Sequence, residues 1–329
     1  MTRPRVGFLG TGWIGRHRME AMISTGAIDA AAVCEPDEEC AQAALALAPE
    51  ARRVAGFDDL VAEQLDGIVI ATPSALHAEQ TTAALNSGAA VFCQKPLGRD
   101  AAETRAAIDA ARAADRLLAV DLSYRRTAAV EAIAEVIRRG DLGKVFAVDL
   151  TFHNAYGPGK PWFFDRAQSG GGCVIDLGVH LVDLALWLVD FPPVEDVQAR
   201  LFAKGQRLAA DATEVEDYAT ARLDLAGGTS VTLACSWNLN AGTEAVIGAT
   251  FHGTQASAGF RNIGGSFYDF EAFVNRGTAQ EIIASPPDAW GGRVAADWAM
   301  QLASGGRFDP QVESVAAVAQ VLDRIYSAG

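Results

Sequence analysis

The 329-residue sequence is short of positive charge: 27 Lys and Arg stand against 41 Asp and Glu, a formal net charge of −14. That deficit argues against nucleic acid or an anionic membrane as the principal partner. Cysteine is scarce and unpatterned. Cys34, Cys40, Cys93, Cys173 and Cys235 are odd in number and show neither a metal-ligand spacing nor a disulfide framework. No metal is expected, and a reducing cytoplasm is the simplest compartment. Met1-Thr2-Arg3-Pro4 leads into a strand with no secretory apolar segment, and no run reads as membrane-spanning. Internal repeats and low-complexity segments are missing too. What is present is a chain with 50% hydrophobic and 21% charged residues. It is long enough that two hydrophobic cores are expected.

The first third alternates strand and helix. Arg5 to Leu9 reads as a buried strand and ends in Gly10-Thr11-Gly12-Trp13-Ile14-Gly15, with a helix following through Met22. A G-x-G-x-x-G between strand and helix is the context that gives this motif meaning. The first Gly permits the turn, the second lets a pyrophosphate approach the backbone, and the third lets the helix sit close. The helix N-terminus offers free N–H groups to the phosphates. The next strand, Ala30 to Cys34, ends at Glu35, where a dinucleotide fold places the carboxylate that binds the adenosine ribose. Pro36-Asp37-Glu38-Glu39 follows, with no Arg or Lys to hold a 2′-phosphate, so NAD is expected over NADP. Asp37 caps a helix to Ala48. Strands at Gly67 to Ala71, Ala90 to Cys93 and Leu117 to Leu122 alternate with helices, which predicts a parallel sheet with right-handed crossovers. Gly10, Glu35, Thr72, Lys95 and Asp121 stand at the strands' carboxyl ends, where such sheets bind ligands.

A second constellation begins at Gly170-Gly171-Gly172. The glycines read as a turn feeding an amphipathic helix, with Leu177, Leu181, Leu184 and Leu188 as its packing stripe. Asp176 and His180 are four apart and His180 and Asp183 three apart, so the spacing predicts one shared helix face. A His beside two carboxylates on an anchored helix suits proton transfer. Upstream, Val130 to Arg138 reads as a helix stopped near Gly140, and Lys144 to Phe152 as a strand ending at His153-Asn154. The loop from Ala155 to Ser169 carries Trp162 and Arg166, which suit the wall of a site for a polar ligand. Alternation at Val197 to Phe202, Asp217 to Asp224, Ser230 to Trp237 and Val246 to Phe251 predicts an antiparallel sheet, with Gly227-Gly228 as a hairpin turn. Residues 263–287 are poorly patterned, and two amphipathic helices close the chain.

Three motifs in order, Asp66 to His77, Gln94-Lys95-Pro96-Leu97 and Gly170 to Asp183, resemble the Gfo/Idh/MocA oxidoreductases over nearly the whole chain. The resemblance implies a Rossmann domain, residues 1–122, and an α/β domain with a large, mostly antiparallel sheet, residues 123–329. It implies cofactor contacts from Gly10, Gly12, Trp13, Ile14, Gly15, Glu35, Thr72, Pro73, His77, Gln94 and Lys95. Lys95 matches the family's Glu-Lys-Pro lysine, and Asp176, His180 and Asp183 match its helix residues. The sequence departs at Gln94, where Glu is usual, and at Asp121, where a small residue is expected.

The implied reaction is hydride transfer between NAD and a secondary alcohol of a sugar or cyclitol. Lys95, His180 and Asp176 are the catalytic candidates, and either Lys95 or His180 is the base. Asp121, His153, Asn154, Trp162, Arg166 and Asp183 join them in the candidate substrate set. The open sheet face is expected to build a homodimer or homotetramer. Two other readings stay open: a redox-neutral enzyme that oxidises its sugar transiently, and a non-catalytic NAD-binding regulator.

Overall fold

Four of the first strands are apolar without alternation, and their burial explains why. Gly67–Ile70 and Ala90–Cys93 are buried at every position, the pattern of parallel strands covered on both faces. The computed structural model describes residues 2–209 and 212–329; Met1, Ala210 and Asp211 lie outside the described residues. In chain order the first elements are β1 (Arg5–Leu9), α1 (Trp13–Ser24), β2 (Asp29–Cys34), α2 (Glu38–Leu47), β3 (Arg52–Arg53), α3 (Phe57–Ala62), β4 (Gly67–Ile70), α4 (Ser74–Asn86), β5 (Ala90–Cys93), α5 (Ala101–Ala114) and β6 (Leu118–Val120). The sheet order is β3-β2-β1-β4-β5-β6 with every pairing parallel. This is the doubly wound dinucleotide-binding order. Asp37 caps α2 by accepting from the Cys40 N–H, and Asp100 caps α5 by accepting from Glu103. The short β3 and α3 were not anticipated, because two and six residues are too few to show a period.

The remaining elements are α6 (Ala128–Arg138), β7 (Val145–Asn154), α7 (Arg166–Ser169), α8 (Val179–Leu188), β8 (Val194–Ala203), β9 (Gln206–Arg207), β10 (Tyr218–Leu225), β11 (Thr229–Ser236), β12 (Ala245–Gly253), β13 (Ser257–Asn262), β14 (Phe270–Arg276), β15 (Ala279–Ala284), α9 (Arg293–Ala303) and α10 (Glu313–Ala328). β7 to β15 form one nine-stranded sheet in the order β15-β14-β13-β12-β7-β11-β10-β8-β9, antiparallel except for the β7–β11 pair. β14 and β15 occupy the stretch that seemed unpatterned. In β15 no residue is fully buried, so its side chains carry little alternation.

Two compact units result, and they are not contiguous in the chain. Residues to Ser123 group with Gly291–Ala316, and Tyr124–Trp290 with Ala317–Gly329. A single boundary at 122/123 therefore misplaces α9. Ala295, Trp298 and Ala299, at i, i+3 and i+4, bury one helix face against Val6, Phe8 and Phe92 of the parallel sheet. Trp298 is 1% exposed and its ring lies 6.0 Å from that of Phe92.

In the second unit, Val148, Leu150 and Phe152 of β7 face the core, whereas Asp149 on the opposite face is exposed. The helical run Arg166–Leu188 corrects an expectation. It is long and apolar enough to cross a membrane, but 89% of its most apolar stretch is buried inside the protein. Every residue of α8 except Trp187 is buried, so the helix has no polar face and is a core helix of the second unit.

Candidate active site

The loop after β1 is shaped for a close-approaching ligand. Gly10 has φ +82°, and a Cβ there would stand 2.7 Å from the Ala71 carbonyl oxygen. A Cβ at Gly15 would stand 2.1 Å from the Gly10 oxygen. Gly12 differs: nothing lies within 4 Å of where its Cβ would be, so the backbone there is open to a ligand. Gly12 caps α1 without a side-chain hydrogen bond, and the Thr11 hydroxyl is buried with no partner. Free N–H groups, an orphaned hydroxyl and open space over the middle glycine fit a dinucleotide pyrophosphate. Trp13 and Ile14 begin α1. Trp13 is 63% exposed with its ring stacked on His17.

Glu35 sits beside this loop. Its carboxylate accepts from the Thr11 N–H at 2.6 Å and the Asp37 N–H at 3.0 Å, one bond to each oxygen. Each oxygen keeps acceptor capacity for a ribose hydroxyl. Arg53, on β3, donates to the Glu35 carbonyl oxygen at 3.3 Å and pairs with Glu38. A cation is therefore present at this edge after all, although it is tied to a carboxylate. It was invisible because it comes from a different strand.

The ends of β4 and β5 are joined by His77, whose ring lies 2.6 Å from the Pro96 oxygen and 2.7 Å from the Thr72 oxygen. Burial lowers its pKa, the two carbonyls oppose that shift, and the contacts to both oxygens make His77 a tie between the two loops. The Thr72 hydroxyl donates to Gln80, and Pro73 precedes the first turn of α4. Lys95 follows Gln94 at the end of β5. Asp121 is held through one of its two oxygens, while its Oδ1 is buried with no partner. It is 2% exposed, and its Oδ2 accepts from Arg18 Nε and from Gln94 Nε2, each at 2.6 Å.

In the second unit the glycine turn and its helix are held by a residue the sequence did not single out. Glu216 is 2% exposed, and its Oε1 accepts from the Gly172 N–H at 3.0 Å, the Val174 N–H at 2.9 Å and the Tyr326 hydroxyl at 2.9 Å. A Cβ at Gly172 would stand 1.9 Å from the Glu216 carbonyl oxygen, so only glycine fits. The helix then opens with one wide turn, Val174–Gly178, closed by the Val179 N–H reaching back five residues to Val174. The expected single face for Asp176, His180 and Asp183 assumed α geometry. The π turn inserts an extra residue at Asp176, ahead of the α-helical turns that carry His180 and Asp183.

Asp176 accepts from the Trp237 indole N–H at 3.1 Å. His180 is 8% exposed and packs on Tyr124, ring centroids 4.7 Å apart. Asp183 departs from its expected substrate role. Both of its oxygens are held by Arg125, whose guanidinium lies over Trp187 and Phe191. Burial pushes the Asp183 carboxyl up, and Arg125 opposes that shift. Neither Trp237 nor Arg125 had a sequence signal, since their partners are about 60 residues away.

The remaining substrate candidates divide by sheet face. His153 lies on the face opposite Phe152, bonded to Ser236 at 2.7 Å and stacked on Tyr218. Phe152 is on the side of His180, ring centroids 6.3 Å apart. Strand alternation therefore keeps His153 and His180 on opposite faces. Asn154, two residues after Phe152, returns to the helix side and has a buried Oδ1 with no partner. Trp162 stacks on Phe163 at 3.8 Å. Arg166 donates to the Ala212 oxygen and lies over the Tyr326 ring, an anchoring position for the loop.

Comparison with known proteins bears on these features together. Residues 4–122 match the model of the oxidoreductase family with an NAD-binding Rossmann fold, and residues 130–259 match the GFO/IDH/MocA C-terminal domain. The chain belongs to the Gfo/Idh/MocA oxidoreductase family. It is 29% identical over 269 residues to D-glucoside 3-dehydrogenase of Escherichia coli (strain K12), covering 77% of this chain and 76% of that protein. It is 31% identical to a putative UDP-kanosamine synthase oxidoreductase subunit of Amycolatopsis mediterranei (strain S699), covering 71% of this chain and 68% of that protein. The solved structure of levoglucosan dehydrogenase in complex with NADH and levoglucosan shares the fold. Its TM-score is 0.83 at 22% identity, over 99% of this chain and 97% of that one.

As a Gfo/Idh/MocA protein, the chain depends on the glycine turn ahead of α8 for placing Asp176 and His180. Burial raises the Glu216 pKa, and the Val174, Glu216 and Gly172 N–H groups and the Tyr326 hydroxyl oppose that shift. Glu216→Gln, which retains the carbonyl acceptor, should fold normally. Glu216→Ala strands buried donors and should cost about 1–3 kcal/mol. A raised folded pKa means the wild type loses stability relative to Glu216→Gln as pH climbs from the ordinary carboxylate range through the raised value. Thermal melts of the three proteins across pH check this, and an Ala variant as stable as the Gln variant would contradict it.

Proposed function

We propose that this Gfo/Idh/MocA member is an NAD-dependent dehydrogenase acting on a secondary alcohol of a sugar or cyclitol. The reading is carried by one observation in each unit. In the first, Glu35 is seated at the head of the glycine loop with acceptor capacity remaining. In the second, Asp176 and His180 are held on a buried, clamped helix. The names of the relatives support the substrate class. Glu35 supports NAD over NADP, since a carboxylate there repels a 2′-phosphate and the nearby Arg53 is already paired with Glu38.

Bound NAD supplies the hydride acceptor. His180 takes the hydroxyl proton at a ring nitrogen, and Lys95 donates a hydrogen bond to the same oxygen and stabilises its developing charge. Asp176, fixed by the Trp237 indole, orients His180. Asn154, with its buried carbonyl oxygen unpartnered, is the better candidate of the adjacent pair to accept from a sugar hydroxyl. Asp183 is assigned to holding Arg125.

A second copy of the chain is proposed to cover the outer face of the nine-stranded sheet. Asp149, Gln198, Arg222 and Thr232 are exposed there, opposite the core-facing side chains of the same strands. Light scattering reads the assembly directly, and a monomer at working concentration contradicts it. The mechanism is tested by His180→Ala. Turnover should fall by roughly 10²–10⁴-fold with NAD affinity little changed. Unchanged turnover removes His180 from the role.

A further inference from the structure

The two departures from the family pattern, Gln94 and Asp121, touch each other. Gln94 is 8% exposed at the end of β5, and Asp121 is 2% exposed just past β6. The Gln94 amide nitrogen donates to Asp121 Oδ2 at 2.6 Å, and the same oxygen accepts from Arg18 Nε at 2.6 Å. Arg18 is 5% exposed, and its other nitrogens reach His17 Nδ1 at 2.9 Å and the Ser123 hydroxyl at 3.4 Å. This buried network lies behind the strand end that carries Lys95.

An amide side chain can present either a donor or an acceptor, and its two orientations are nearly equal in shape. Here they are not equal in energy. Turning the amide over would set its carbonyl oxygen 2.6 Å from a carboxylate oxygen with no proton between them. With one N–H donating to Asp121 the amide's orientation is fixed, and the acceptor Gln94 keeps for a ligand is the carbonyl oxygen. We propose that Asp121, neutralised by Arg18, locks Gln94 as an acceptor toward the hydroxyls of the bound dinucleotide. Gln94 then does the accepting work of a carboxylate, and the negative charge resides one residue deeper, on Asp121. Asp121 and Arg18 are positioning residues. The inference rests on the reading of the first unit as a dinucleotide-binding module.

The pairing also means that residues 94 and 121 cannot both be ionised carboxylates without a penalty. In Gln94→Glu two carboxyl groups would meet at the same contact, and one would ionise only at the expense of the other. The charged and titratable neighbours are Arg18 and His17 on α1 and Cys93 and Lys95 on either side of residue 94. Burial and Arg18 lower His17, and burial pushes Cys93 up to about 12. The new carboxyl pair is therefore the group expected to dominate the change between mildly acidic and mildly basic pH.

The test compares wild type, Gln94→Glu and Gln94→Glu/Asp121→Asn, in which donor and acceptor exchange sides. Thermal melts without cofactor are followed across pH, and NAD affinity by quenching of intrinsic fluorescence. Gln94→Glu should melt progressively lower than wild type as pH rises and bind NAD about tenfold more weakly at basic pH, the scale of one charge-assisted hydrogen bond. The double variant should recover both properties. If Gln94→Glu is too unstable to purify, the recovered folding of the double variant is the readout. Gln94→Glu behaving as wild type, or a double variant no better than the single, overturns the inference while leaving the function standing. A wild-type protein that binds neither NAD nor NADP overturns both.

Discussion

The second unit depends on one buried carboxyl group. The N-terminus of a helix leaves N–H groups that must find partners, and burying them without any costs more than most side-chain contacts return. Glu216 gathers the Gly172 and Val174 N–H groups and the Tyr326 hydroxyl on a single oxygen. That permits a helix apolar on nearly every side to run through the core and still present Asp176 and His180 in fixed places. The glycine triplet is the steric counterpart of the same clamp, since Gly172 meets the Glu216 backbone where any side chain would collide. The wide turn that follows sets Asp176 against the Trp237 indole.

The first unit solves a similar problem with charge. Glu35 satisfies two backbone N–H groups of the ligand loop and the turn after β2, so the carboxylate proposed to read the ribose also holds the loop that meets the phosphates. Arg18, Asp121 and Gln94 form a second, deeper network between the middle of α1 and the ends of β5 and β6. In both places one side chain serves local folding and ligand orientation together, so binding and stability are expected to respond jointly to substitution.

Much of this was legible in the sequence wherever the signal was local. The glycine loop, Glu35 at its distance from Gly15, the cap at Asp37, and the alternation of β8 and β10 each follow from neighbours within a few residues. What was not legible came from partners far apart in the chain. Asp121 was placed in the substrate set with no sign of Arg18, its partner 103 residues earlier. Asp183 read as a hydroxyl ligand because Arg125 was not connected to it, and His77 as a cofactor contact because its two carbonyl partners could not be seen. His153 was grouped with His180, although period-two alternation places them on opposite sheet faces. The buried α8 read as amphipathic because three polar residues suggested a wet face, whereas Asp183 is satisfied internally by Arg125.

The measurement that tests the account most directly is NADH absorbance on mixing purified protein with NAD or NADP and a panel of aldoses, glycosides, inositols and sugar acids. The account predicts NADH formation from NAD with at least one member of the panel and little signal from NADP. Retained dinucleotide with no net reduction across the whole panel would contradict it and favour the redox-neutral use of NAD.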